Sequence, residues 1–507
     1  MKKYLLLLSF LEGASVMAAE LMGAKMMAPF FGSSLYVWSA VMAITLGGLA
    51  AGYFAGGILS TKKNPEQWLY KVLVLAAALT ALMPFTSKFS LSLFGYFSLL
   101  PAVSINAMLI LFPPVFLMGT VSPLIIRNIA TDGEHAGKAA GTVYAISTVG
   151  GILATFLFGF WIIPTFGLTY PAIATGIVLG ILPAIELVKG KKLPAVLFLG
   201  ACIFLAARTT AVKPVSSIRV VHSGEGVLGQ IMVLDFPNDV YYADTTKAGQ
   251  TSRWLFVNRV SQTMDDPHAD RNKGEERYFT YIYKLEQVLD TFSSHRKNIL
   301  LLGLGGGSVA KHFSEKGFSV TACELDPRIA QVAKDYFDLP ENVDIHIDDA
   351  RHFIKTCKQQ FDVVIFDTFK GEETPSHILT TESLAEVKTL LRKDGMIFVN
   401  SFGFWEGEKG RGARSIYATL ASTGMQTTAW PTGDDENQRN ILFVASKKNY
   451  TTPAEALPTD NLSDALVLTD EYPRFEIINA KAALAWRRMA INTMRLDQNQ
   501  RAIPVFE

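Results

Sequence analysis

KNILLLGLGGGS, residues 297–308, runs an apolar segment into four glycines within five positions, Gly303, Gly305, Gly306 and Gly307. An apolar run without alternation predicts a strand buried on both faces. The glycines predict a tight strand-to-helix turn, where a ligand can approach the backbone and a helix N-terminus offers N–H groups. Outward from this stretch, AKHFSEKG (310–317) predicts a helix, SVTACELD (319–326) a second strand and PRIAQVAKDYF (327–337) a second helix. VDIHIDDA (343–350), FDVVIFDTF (361–369) and GMIFVNSF (395–402) predict three more strands. Strands alternating with helices imply a parallel, doubly wound α/β sheet of Rossmann type, which binds ligands beyond the carboxyl ends of its strands.

Those strand ends carry the candidate site. Glu324 closes the second strand 21 residues after Gly303, where an acid can bind both hydroxyls of a ribose. Ser308 occupies the third glycine position of a dinucleotide fingerprint, so a single adenosyl group fits better than a dinucleotide. Asp348 and Asp349 close the third strand. They read either as acceptors for an adenine amino group or as the N-cap of a helix over RHFIKT. Asp367, one carboxylate after apolar VVIF, is placed for a base, with strand capping as the plainer alternative.

The chain is two solvents joined end to end. Of 47 Lys/Arg and 46 Asp/Glu in 507 residues, only 13 and 6 fall in residues 1–211. Mean hydropathy is +0.24. A net charge of +1 argues against a nucleic-acid partner, which would need a basic face. Cys202, Cys323 and Cys357 are isolated thiols, so neither a disulfide framework nor a metal site is expected.

Met1-Lys2-Lys3 followed by YLLLLSFL has the look of a secretory leader, with small residues near Ala18 as its cleavage site. Further membrane-length runs follow at once, which favours a first spanning helix. Charge-free runs at 26–61, 89–126 and 139–185 exceed the roughly 20 residues that cross a bilayer. Candidate spans lie near 4–23, 35–58, 68–86, 102–126, 141–163, 168–188 and 193–207, and 89–101 has room for another, giving 6 to 8 helices over 1–211. An N-terminus inside leaves nine Lys/Arg on the cytoplasmic side (Lys2, Lys3, Lys62, Lys63, Arg127, Lys138, Lys189, Lys191, Lys192) against Lys25 and Lys88 outside. The expected location is the cell (inner) membrane, and an even number of crossings keeps the polar half in the cytoplasm beside its nucleoside. Glu12 and Glu20, inside the first span, read as a substrate path or as a hydrogen bond to a neighbouring helix. GGLAAGYFAGG (47–57) and TVGGILATFLFG (148–159) predict close helix contact.

Between the halves, SIRVV (217–221), GQIMVLDF (229–236) and RWLFVNRV (253–260) alternate and predict a small antiparallel β subdomain over about 216–263. The domain reading is therefore 1–211 membrane helices, 212–285 β subdomain and linker, and 286–507 catalytic α/β domain.

With these segments in place, residues 220–475 resemble the spermidine synthase family, aminopropyltransferases with a methyltransferase-like Rossmann core behind a small β domain. The likeness rests on VNRVSQT around Gln262, on Tyr281, GLGGGS at 303–308, CELD around Glu324, and DDA at 348–350. FDVVIFDTF ending in Asp367, 18 residues after Asp349, and LTDEYPRFE at 468–476 complete it. The apolar N-terminal half makes the membrane-fused spermidine synthase-like group the nearest likeness. The resemblance implies that Gln262, Asp348 and Asp349 touch the nucleoside, together with Gly303, Gly305 and Gly307 of the turn, that Glu324 holds the ribose, and that Asp367, with Tyr281, deprotonates an attacking amine. It also implies an adenosyl sulfonium substrate with no further cofactor and no metal, and as partners a small molecule and membrane lipid, with a second copy of the chain compatible.

Three acids of the family pattern are absent. Gly306, Lys370 and Phe402 stand where they would be, and Ile282 replaces the residue after the family tyrosine. A Coulomb attraction of about 4 kcal/mol at 4 Å and an effective dielectric near 20 is lost with each. This exchange predicts discrimination against a dicationic acceptor and a carboxylate contact for Lys370. The expected substrate is then S-adenosylmethionine itself, split at Cγ–S to methylthioadenosine by closure to azetidine-2-carboxylate or homoserine lactone. Spermidine synthesis from the decarboxylated donor is the competing expectation, with Asp265, Asp266, Glu275 or Glu276 supplying the missing acids. A methyltransferase, and a transporter or nucleoside-sensing membrane protein, are the others.

Overall fold

The computed structural model describes residues 2–31, 35–94, 99–130, 136–190, 197, 199–204, 218–224, 229–241, 245–258, 260–292, 297–368, 375–448, 450, 452, 454–460, 462–472 and 474–495. Two compact units divide the chain, one built on Met1–Lys213 and one on the remainder from Pro214, apart from Gly224–Gln230 and Glu507, which group with the first.

Six helices of the first unit are long and apolar enough to cross a membrane: Lys2–Ala28, Val37–Ser60, Pro65–Ser90, Phe112–Ile129, Ala136–Phe166 and Thr169–Lys189. Two of the expected spans differ in detail. The segment expected as one span at 102–126 is broken into helices Leu99–Ile110, Phe112–Gly119 and Val121–Ile129. Pro113 and Pro114 open the middle piece, and prolines cannot extend the preceding turn. The span at 141–163 is longer, running through a π-helical turn at Phe158–Ile162 to Phe166. Most of 193–207 lies outside the described residues.

Glycines set the helix spacing in this unit. A Cβ on Gly13 would strike the Ser147 backbone, and one on Gly150 the Phe10 carbonyl. Gly52 and Gly56 stand in the same way against Gly119 and Thr120. Glu12 is buried and its Oε2 accepts from Ser147 Oγ at 3.0 Å, which is the hydrogen-bond alternative raised for it.

In the second unit, strands β1 (Arg219–Gly224), β2 (Ile231–Pro237), β3 (Thr251–Val257) and β4 (Val260–Asp265) form a four-stranded sheet in sequential order. Pairing is antiparallel from β2 to β4. RWLFVNRV is split between β3 and β4 at Asn258, whose φ of 50° turns the chain. The helix Thr280–Phe292 leads on to β5 (Asn298–Leu302), β6 (Ser319–Glu324), β7 (Asp344–Ile347), β8 (Phe361–Phe366), β9 (Leu391–Phe402), β10 (Gln426–Pro431) and β11 (Asn440–Ser446).

These seven strands form one sheet in the order β10-β11-β9-β8-β5-β6-β7. The β7-to-β9 portion is parallel. The expectation of a wholly parallel sheet is corrected by β11, which pairs antiparallel to both β9 and β10. A reversed hairpin at one edge needs no crossover helix. Both faces are apolar, which explains the unbroken strand runs. Leu300, Leu302, Val364, Phe366, Ile397 and Val399 pack on one side, and Ile299, Leu301, Val363, Ile365, Met396 and Phe398 on the other. A strand alternates faces at every residue, so burial on both sides favours apolar residues at most positions, with Asn400 of β9 a buried exception.

A cavity beyond the end of the fourth parallel strand

Two of the parallel strands, β6 and β7, end in carboxylates held by backbone N–H groups. Gly303 follows β5 with φ 88° and presses against the Asp367 backbone, where a Cβ has no room. The turn does not leave all its N–H groups open, as the sequence reading expected: Leu304 N–H donates to Glu324 Oε2 at 3.0 Å, and Gly306 N–H donates to Thr263 Oγ1 at 2.7 Å. Glu324 Oε1 accepts from Asp326 N–H at 2.9 Å. Burial raises the Glu324 carboxyl above the usual range against the pull of those backbone donors.

Asp349 is the N-cap of the helix Ala350–Thr356, accepting from Arg351 N–H at 2.9 Å and His352 N–H at 3.2 Å. The capping alternative is therefore what the geometry shows. Its second oxygen meets His377 Nε2 at 3.2 Å. Burial would raise this carboxyl, yet the His352 and Arg351 backbone bonds and His377 hold it below its ordinary value. Asp348 accepts from Asp349 N–H at 2.8 Å and meets His352 Nδ1 at 2.6 Å.

Asp367 differs in its surroundings. It follows β8, its N–H donating to Leu302 O at 2.9 Å, and its carboxylate takes only side-chain donors. Tyr281 Oη donates to Oδ2 at 2.8 Å and Asn400 Nδ2 to Oδ1 at 2.9 Å. Asn440 Nδ2 in turn donates to Asn400 Oδ1 at 2.9 Å. The relay crosses the adjacent strands β11, β9 and β8. Each carboxylate oxygen keeps a lone pair for a further donor. Burial raises the Asp367 carboxyl above the usual carboxylate range, partly offset by Asn400 and Tyr281. Burial, with the Asp367 charge and hydrogen bond, drives the Tyr281 phenol well above its ordinary value.

Asp367, Tyr281, Asn400 and Gln262 line one cavity of about 360 Å³. Phe402 and Trp486 form part of its wall, their rings stacked at 4.7 Å and 26°. Asp434 and Asp435 stand at its exposed margin. A family model for the spermine/spermidine synthase domain matches residues 278–410, which contain both Tyr281 and Asp367. The C-terminal half is similar to the spermidine synthase-like family over this segment.

Relatives extend the likeness in two ways. A polyamine aminopropyltransferase of Vibrio vulnificus is 36% identical over 185 residues, covering 34% of this chain and 61% of that protein. The match thus spans about six-tenths of that relative's length. Polyamine aminopropyltransferase 1 of Streptomyces coelicolor is 23% identical over 490 residues, 90% of this chain and 86% of its own, so the similarity includes the apolar half. Spermidine synthase from Thermotoga maritima aligns with 18% identity and a TM-score of 0.35 over 45% of this chain and 73% of its own.

Of the residues expected in the site, Asp367, Tyr281 and Gln262 line the cavity, and Glu324 is tied to the glycine turn through Leu304. Lys370 lies outside the described residues. The acids nominated to replace the missing ones are engaged elsewhere. Asp265 pairs with Arg277 at 2.6 Å, Asp266 accepts from Asn238, and Glu275 pairs with Lys247 at 2.6 Å. None of these, nor Glu276, lines the cavity. Asn400, Asn440 and Trp486 escaped the sequence reading. Asn400 sits inside the strand segment GMIFVNSF, and its amide, not an acid, is what that strand end supplies to Asp367.

Proposed function

We propose that this chain is a membrane-embedded transferase that cleaves the Cγ–S bond of an adenosyl sulfonium and passes the three-carbon arm to an amine. Decarboxylated S-adenosylmethionine or S-adenosylmethionine would lie with its nucleoside near Glu324 and Asp349. The amine, held at Asp367, attacks Cγ. A C–N bond forms, the C–S bond breaks with its electron pair going to sulfur, and methylthioadenosine leaves as a neutral thioether. The proton lost by the amine goes to Asp367. Orientation supplies much of the rate because the sulfonium is already a good leaving group.

The observation carrying this reading is the cavity of about 360 Å³ that opens from Asp367 and Tyr281. A cyclising enzyme needs no room for a separate acceptor. Closure of S-adenosylmethionine on itself is the second reading, supported by the lack of acids at Gly306 and Phe402. A Cβ at Gly306 would stand 2.7 Å from Thr263 Cγ2, so an acid there would need Thr263 to move.

Purified protein given each donor with and without amine separates the outcomes. Methylthioadenosine that appears only with amine supports transfer. Its appearance from S-adenosylmethionine alone supports cyclisation, with Lys370→Asp then slowing it. S-adenosylhomocysteine as product defeats both in favour of methyl transfer.

A further inference from the structure

The polarity of the relay behind Asp367 is set from one end. An ionised carboxylate only accepts hydrogen bonds, so Asn400 must turn its Nδ2 to Asp367, at 2.9 Å. Asn400 Oδ1 is thereby left facing β11, where it accepts from Asn440 Nδ2 at 2.9 Å. Asn400 is 4% exposed. A flipped amide there would set its oxygen against the Asp367 carboxylate and its nitrogen against that of Asn440. The order of donors and acceptors therefore runs outward without a choice, and it ends at Asn440 Oδ1.

Asn440 lines the same cavity as Asp367 and is half-buried. Its backbone is fixed at the start of β11, opposite Phe402. Its N–H donates to Thr432 Oγ1 at 2.8 Å and its carbonyl accepts from Thr432 N–H at 3.0 Å. With Nδ2 committed to Asn400, the side-chain oxygen has no hydrogen-bond partner among the described residues. Because β9 lies between β8 and β11, two strand spacings, roughly 10 Å, separate Asn440 from Asp367.

We infer that Asn440 is a specificity-determining residue, its side-chain oxygen accepting from a second donor group of the acceptor amine while the reacting nitrogen sits at Asp367. This rests on the amine-transfer reading and adds a second point of recognition to it. The oxygen is neutral, so a hydroxyl, an amide N–H or an ammonium fills the place equally; what it excludes is an arm that ends in carbon. Such an arm drives water from the oxygen and returns no hydrogen bond, and a site with a committed polar group discriminates against the analogue that lacks its partner.

Matched pairs of amines test the contact: butylamine with 4-aminobutanol, and hexylamine with 6-aminohexanol. Each is titrated calorimetrically into full-length protein saturated with methylthioadenosine, and each is compared in turnover with decarboxylated donor. At least one alcohol should bind about three- to tenfold tighter than its alkyl partner, the range for a neutral hydrogen bond. Asn440→Leu also frees Asn400 and so disturbs Asp367, but that loss is common to both members of a pair, and the ratio between them should fall to one or below. Should the leucine variant fold poorly, Asn440→Ala should abolish the same ratio. Equal binding within both pairs by the unaltered protein, or a ratio that survives the substitution, overturns the proposal. If an alcohol binds tighter but no amine supports methylthioadenosine release, the transfer reading fails while the second contact stands.

Discussion

The two ends of the crevice hold their acids in different ways. Glu324, Asp348 and Asp349 accept mainly from backbone N–H groups, of their own turns and, for Glu324, of the glycine turn after β5. Asp367 accepts from Tyr281, 86 residues away, and from Asn400, 33 residues away. Asp349, partly open to solvent, is held below the usual carboxylate range, whereas burial raises both Glu324 and Asp367 above it. Carboxylates driven apart in this way within one site divide into a permanent anion and a proton acceptor.

The sharpest way to break this division is Asp367→Asn. Methylthioadenosine release should fall roughly 10²- to 10⁴-fold, the range for a positioned acid or base, while calorimetry finds nucleoside affinity little changed. Turnover at the unaltered rate would remove Asp367 from the chemistry. The stability effect has the opposite sign. A carboxyl whose folded pKa is raised contributes stability that is full below its unfolded pKa and is lost as pH rises through the folded value. The variant should therefore melt higher than the parent at pH 7, with the gain vanishing near pH 4.

Glu324→Ala tests the other end. A hydrogen bond to a charged group contributes about 1.5–3 kcal/mol, so methylthioadenosine should bind roughly tenfold to a hundredfold more weakly. The Leu304 and Asp326 N–H groups would also lose their acceptor, so the ligand-free melting temperature should drop. Weaker binding with no loss of stability would mean that the turn does not depend on this carboxylate.

Asn400→Ala tests whether this amide sets the protonation of Asp367. Asn400 lowers the Asp367 pKa against burial, so its loss should push that pKa up. The acid limb of the kcat/KM profile should then move to higher pH, and kcat at saturating amine should fall several-fold. A purely structural amide would lower activity at all pH values without moving the limb.

What could be read from sequence follows the same division. The runs at β5, β6, β8 and β9 are continuous because both faces of the sheet are covered, and the glycine turn is short enough to declare itself. Asp349 carried its two readings, cap and ligand, within eight residues. The β10–β11 hairpin passed unnoticed although NILFVAS is as apolar as its neighbours, because nothing in a single strand states its direction. Asn400 and Asn440 meet only through that reversed pairing. Trp486 reaches the cavity from the last helix, and a lone tryptophan has no spacing to mark it.

The smallest expected effect concerns Asp434 and Asp435 at the cavity margin. Both are exposed, so any attraction for an incoming ammonium acts through water and is screened beyond about 8 Å at physiological salt. Exposed pairs contribute about 0.2–1 kcal/mol, which corresponds to a change in amine KM of less than about fivefold. Replacing both with asparagine should raise KM by that little at low salt and leave kcat alone. At 0.5 M salt the difference should disappear, because screening has already removed what the substitution removes. A larger effect that survives salt would place a second ammonium in direct contact with these acids. That result would favour a diamine acceptor.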